Sequence, residues 1–156
     1  MPPVRVPIGL QLTRTARAVS RAFDVALGEA GGSLPVWLVL LNTKVGALAN
    51  QRELAEAVGV REATLTHHLN AMEADGLLTR RRAAGNRRIH IIELTDAGEA
   101  AFLRLREAAI AFDRRLRRGI GGEDLAALEG LLARLAANVD VPAPSADPVV
   151  RRPRSE

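Results

Sequence analysis

A chain of 156 residues with 47% apolar and 26% charged positions can bury one small core and is too apolar to be disordered. It has no cysteine, which excludes a disulfide framework, a zinc–thiolate site and a thiol-oxidation switch. The formal charge is +4, carried by arginine with Lys44 as the one lysine, and 3% aromatics argue against a stacking platform for single-stranded nucleic acid.

Arginine forks phosphates and guanine edges, which suits duplex DNA. The sequence begins without a long apolar run, and no stretch reaches the roughly 18 apolar residues of a membrane span. The expectation is therefore a cytoplasmic protein with no signal peptide and no membrane partner.

Residues 1–7 read as an extended, proline-bearing arm. From Ile8, apolar Leu12, Val19, Phe23, Ala26 and Leu27 recur at helical spacing to about Glu29, and Gly31-Gly32 stops the helix. Arg14, Arg17 and Arg21 share its polar side, where solubility alone would explain them. Ser33 is a candidate N-cap for a second helix, with Pro35 tolerated in its first turn. That helix, LPVWLVLLNTK, is almost continuously apolar to Leu41 and should be buried on most sides. Trp37, the sole tryptophan, is either core or the wall of an effector pocket.

Asn50 and Glu53 can form a capping box that opens a third helix. Leu54, Ala55 and Val58 make its buried stripe, and Gly59 its stop. A fourth helix follows within a few residues, with Leu65, Leu69 and Met72 facing the core. At about 100° per residue Ala63, His67 and Asn70 point the opposite way, flanked by Thr64 and Thr66. Small, hydrogen-bonding residues there suit a helix pressed into a major groove. A plain solvated face would show the same pattern, so the next segment decides.

That segment reads as a hairpin: a strand Leu77–Arg82, a turn Ala83–Asn86 around Gly85 and Asn86, and a strand Arg87–Leu94. Its arginines 80, 81, 82, 87 and 88 against Glu93 carry the same +4 as the whole chain. Such a hairpin beside a candidate recognition helix is what a phosphate backbone would select. Helix, tight turn, helix and basic hairpin are the order of a winged helix-turn-helix.

Thr95 can cap a long helix, with Asp96 and Glu99 complementing its dipole. Ala101, Phe102, Leu105, Ala109, Phe112 and Leu116 step along it to about Arg118, and the arginines 114, 115, 117 and 118 complement its C-terminus. Gly119, Gly121 and Gly122 make a turn before Glu123 and Asp124 open a last helix. Its stripe of Leu125, Leu128, Leu131, Leu132 and Leu135 exceeds what a terminal helix covers by folding back. A two-fold dimer interface with the first helix is expected. Residues 140–156, with Arg151, Arg152 and Arg154, read as a flexible tail.

No catalytic, cofactor or metal constellation is expected. His67 and His68 are about 100° apart on a helix and cannot share a metal as an i, i+4 pair would. No P-loop, dinucleotide-binding glycine motif, nucleophile elbow or HExxH motif is present, so the chain is not expected to be an enzyme.

The run ANQRELAEAVGVREATLTHHLNAMEADGLLTRRR…NRRIHIIELTDAGEAAF, with its DGLL…R…LT-x-x-G frame, resembles the MarR family of bacterial transcriptional regulators over nearly the whole chain. The resemblance implies a homodimer, a winged helix-turn-helix reading a pseudo-palindromic duplex operator, and release by a small ligand. It places the wing-tip Asp-x-Arg motif on Asn86-Arg87-Arg88, with Arg88 as the minor-groove arginine and Asn86 in place of its aspartate. Arg61 stands where the family usually has a capping serine and is left to serve a phosphate. His67 stands where arginine is frequent and would read a base with some pH dependence.

The expected DNA contacts are therefore Arg61, Ala63, Thr64, Thr66, His67, Asn86, Arg87 and Arg88. The resemblance also implies an effector pocket near Trp37, Leu41 and Phe102, with Arg17 as anion partner, for a small organic acid or phenol. The fold class is mainly α with a small β-hairpin wing. Its expected parts are an arm and dimerisation helix (1–32), the DNA-binding domain (33–95), C-terminal dimerisation helices (96–139) and the tail (140–156). The alternative is a winged helix that binds an acidic protein partner without sequence-specific DNA binding.

Overall fold

The buried centre of the molecule is the helix that the sequence makes apolar on most sides. The computed structural model describes residues 5–46, 51–83 and 86–139, the side chains of 82, 83 and 86–90 excepted. Its elements are α1 (Ile8–Glu29), α2 (Leu34–Val45), α3 (Gln51–Val58), α4 (Glu62–Ala74), β1 (Leu78–Ala83), β2 (Asn86–Leu94), α5 (Asp96–Leu116) and α6 (Gly122–Asn138). This is the mainly α architecture with a two-stranded wing that the sequence predicts. Among the described residues no single helix is long and apolar enough to cross a membrane.

Helix α2 packs against α1, α3, α4, α5 and β2. Ser33 Oγ accepts from the Val36 amide at its start, and Gly46 closes its end at φ 64°. Asn42 is buried within it and donates its side-chain amide to the Leu38 carbonyl at 2.7 Å, so no orphan polar group enters the core. Leu54, Ala55 and Val58 of α3 and Leu65, Leu69 and Met72 of α4 close over α2, as their spacing requires. Between α3 and α4 the chain reverses at Gly59, φ 74°, where the Val60 amide bonds the Ala55 carbonyl at 3.0 Å. The capping residue Asn50 and the turn residue Gly85 lie outside the described residues, as does the tail 140–156.

The two strands pair antiparallel from Leu78↔Leu94 to Arg82↔His90. The strands run one residue further at the tip than expected, to Ala83 and from Asn86, instead of leaving a four-residue turn Ala83–Asn86. Ala83 pairs with Asn86, so the register breaks after Arg82 and residues 87 to 89 of β2 have no partner position on β1. The extra residues form an irregularity of the kind that twists and re-aims a strand end.

The start of α5 is anchored to the α4–β1 turn. The Thr95 hydroxyl donates to the Gly76 carbonyl at 2.5 Å and accepts from the Gly98 amide at 3.1 Å. The Thr95 amide donates to the Leu77 carbonyl at 3.1 Å. A Cβ on Gly98 would lie 1.9 Å from that same carbonyl oxygen, which explains the glycine in the Thr-x-x-Gly frame. Further along, Phe112 stacks on Phe23 of α1 with centroids 4.9 Å apart, and Lys44 of α2 forms an ion pair with Glu99 at 2.7 Å.

Helix α6 has no buried residue. Its Leu131 is 52% exposed, and Ile8 at the start of α1 is 63% exposed. The leucine stripe thus does not fold back onto its own chain, and both ends of the helical region present apolar surface.

Candidate nucleic-acid interface

Helix α4 turns Leu65, Leu69 and Met72 inward, which by the 100° helical period forces Ala63, His67 and Asn70 outward. Arg61, Ala63, Thr64, His67 and Asn70 are all exposed on one side of the molecule, with the hairpin following directly behind. Arg61 occupies the N-cap position in an extended conformation and makes no side-chain cap bond, as expected of arginine there.

Thr66 departs from its expected role. It is half-buried, donates its hydroxyl proton to the Glu62 carbonyl at 2.9 Å and accepts from Gln51 Nε2 at 2.7 Å. A hydroxyl has one proton, so Thr66 has none to offer a base. Its observed work is to tie α3 to α4.

The arginines of the hairpin also divide. Arg80 shares the inner face of β1 with buried Leu78, because strand side chains alternate. Its guanidinium donates to Glu73 Oε2 from Nε at 3.0 Å and from Nη2 at 2.6 Å, and to Asn70 Oδ1 from Nη2 at 2.6 Å. The Arg80 amide also donates to Glu73 Oε1 at 3.1 Å. Arg80 is therefore a strut between the hairpin and α4, not a free cation. Period-two alternation from Leu78 carried that signal in the sequence, but counting charge along the hairpin hid it.

Arg81 points outward and pairs with Glu93 across the strands, Nη2 to Oε1 at 2.9 Å. The hydrogen bond and then the charge of Arg81 hold the Glu93 carboxyl below the usual glutamate range. The same contacts, in the same order, raise Arg81. Asn86, Arg87 and Arg88 lie on β2 beyond this pair, where the register breaks, and their side chains fall outside the described ones.

The expected effector residues are differently disposed. Trp37 and Phe102 are each 8% exposed and stacked, centroids 5.7 Å apart at 15°, so they form core between α2 and α5 and not the wall of an open cavity. Leu41 is half-buried against the same core, while Arg17 is exposed on α1. An open groove of about 470 Å³ lies elsewhere, between α1 and α5, lined by Ala26, Ala30, Ala108, Phe112, Arg115 and Arg118 among others. Nothing in the apolar periodicity of either helix marks it, since it arises where small alanines of two helices face each other.

The model that describes the MarR family matches residues 37–90, the stretch from α2 into the second wing strand. The transcriptional regulator PA3341 is 32% identical, with 85% of this chain and 98% of that chain covered and a TM-score of 0.72. The transcriptional repressor CouR, solved on a 23-mer DNA duplex, is 30% identical over 83% of this chain and 92% of its own, with a TM-score of 0.71. The regulator MOSR of M. tuberculosis, solved in complex with DNA, is 26% identical over 87% of this chain and 100% of its own, TM-score 0.64. A winged helix-turn-helix set on long flanking helices, matched along its length by these regulators, makes this chain a member of the MarR family of transcriptional regulators.

Proposed function

We propose that the protein acts as a homodimeric repressor that grips a pseudo-palindromic duplex operator and lets go when a small organic acid or phenol binds. The observation that carries this reading is the outward face of α4, where exposed Ala63, Thr64 and His67 stand beside an arginine hairpin. CouR and MOSR, its relatives, were both solved on DNA. In this reading residues 33–95 bind DNA, Arg61 meets a phosphate, and Arg87 and Arg88 flank the groove with Arg88 in the minor groove. Residues 1–32 and 96–139 make the dimer, which would cover the exposed apolar stripes of α1 and α6. Two-fold symmetry then sets the half-sites about one helical turn, roughly 10 bp, apart.

Release would act through α2, which packs against both α5 and α4. A ligand that parts Trp37 from Phe102, its anionic group toward Arg17, would tilt the reading head on the dimer helices. Because Trp37 is the one tryptophan, its fluorescence would report this directly.

The test is a gel shift on DNA upstream of the coding region, followed by a salt titration of Arg88→Ala. The variant should bind more weakly and lower the salt slope by about one phosphate contact. An unchanged slope and affinity would remove Arg88 from the interface. Absence of any shift at low salt would favour an acidic protein partner instead.

A further inference from the structure

A helix lying in the major groove reads bases from positions spaced i, i+3, i+4 and i+7. On α4 these are Ala63, Thr66, His67 and Asn70. Ala63 has no polar side-chain atom, and the Thr66 proton is spent on the Glu62 carbonyl. Of these four positions His67 and Asn70 remain, beside Thr64 on the flank.

Asn70 is exposed, yet its amide is not free to turn. Its Oδ1 accepts from Arg80 Nη2 at 2.6 Å. A guanidinium has no acceptor, so the oxygen and not the nitrogen must face it. Arg80 is itself locked by the Glu73 carboxylate through Nε and Nη2, and its side chain is only 19% exposed. The amide NH2 of Asn70 is left turned away from the strut.

An asparagine that reads adenine accepts from N6 with its oxygen and donates to N7 with its nitrogen, whereas guanine offers only acceptors, N7 and O6, in the major groove. Arg80 takes one of the two lone pairs of Oδ1, and its charge weakens the oxygen as a partner for a base donor, while the NH2 keeps protons to give. We propose that Asn70, held donor-outward by Arg80, is a specificity-determining residue that selects guanine over adenine at one position of each half-site. Arg80 is its positioning residue. This inference rests on the operator reading above.

The experiment is selection of bound duplexes from a randomised pool with the full chain and its variants. The parent should enrich guanine over adenine about fivefold or more at one position per half-site, the low end of what a base contact discriminates. Asn70→Ala, a change on an exposed position, should lose that preference there and nowhere else. Arg80→Met frees the amide to turn and should move the preference toward adenine, a change of base that mere damage to the wing would not produce. Arg80→Lys keeps a cationic donor and should keep guanine.

If Asn70→Ala selects the same base with the same strength at every position, the role of Asn70 falls while the operator reading stands. If it flattens the whole site, Asn70 is structural and the proposal falls. Retention of guanine by Arg80→Met would overturn the orienting role. A parent that enriches no sequence would overturn the operator reading and this inference with it.

Discussion

Replacing Gly98 with alanine should destabilise the protein, although alanine is the better helix former. In an open helix the exchange gains up to about 1 kcal/mol. Here the new methyl would stand 1.9 Å from the Leu77 carbonyl oxygen and 3.0 Å from its carbon, with Leu94 Cβ at 3.4 Å. A carbon–oxygen contact normally sits at about 3.3–3.6 Å, so more than an ångström of movement is needed. The oxygen cannot retreat alone, because it accepts from the Thr95 amide at 3.1 Å, and Thr95 in turn holds the Gly98 amide and the Gly76 carbonyl.

Relief therefore means moving the start of α5 off the α4–β1 turn. Overpacking of this kind costs about 1–3 kcal/mol, and the loosened N-cap about 1 more. Set against the propensity gain, the net loss is about 2 kcal/mol, or a drop of roughly 4–8 °C in melting temperature at this chain length. Thermal melts by circular dichroism would read it. Gly130→Ala in α6, where nothing lies within 4 Å, is the control and should be neutral or slightly stabilising. If Gly98→Ala melted at or above the parent, the steric account of the Thr-x-x-Gly frame would be wrong.

Thr95→Val keeps the shape but removes both side-chain hydrogen bonds, and urea denaturation should show a loss of about 1–2 kcal/mol. On the proposed dimer, Leu131→Glu on the exposed face of α6 should leave the fold intact by circular dichroism while shifting sedimentation from dimer to monomer; a dimeric variant would place the interface elsewhere, and a monomeric parent would refute the dimer itself. The Glu93 carboxyl should titrate below the ordinary value near 4.5 in a carboxyl-carbon NMR experiment, and Arg81→Gln should return it to that value. Since the folded value is the depressed one, the pair contributes stability above the ordinary glutamate value. That contribution is lost as pH falls through the lower folded value, and added salt should weaken it because both groups are exposed.

What could be read along the chain was whatever depends on near neighbours. Helix faces follow from a period of 3.6 residues, so the core positions of α4, Leu65, Leu69 and Met72, and its outward residues are legible in the sequence. Stops at Gly59 and caps at Ser33 and Thr95 were legible for the same reason, since the atoms that satisfy each other lie within a few residues. The resemblance to the MarR family lay in a run of neighbouring residues that carries those local signals in order.

Contacts between distant segments were decided only when the chain folded. The ring stack of Trp37 on Phe102, the bond from Gln51 to Thr66 and the clasp of Arg80 on Glu73 and Asn70 each join different elements. So does the crowding of Gly98 by Leu77. Charge summed over a hairpin treats every arginine alike; packing makes Arg80 a brace, Arg81 a cross-strand partner and Thr66 a fastening between helices. The physical reason is that a side chain's chemistry is set by which donors and acceptors the tertiary fold has already consumed.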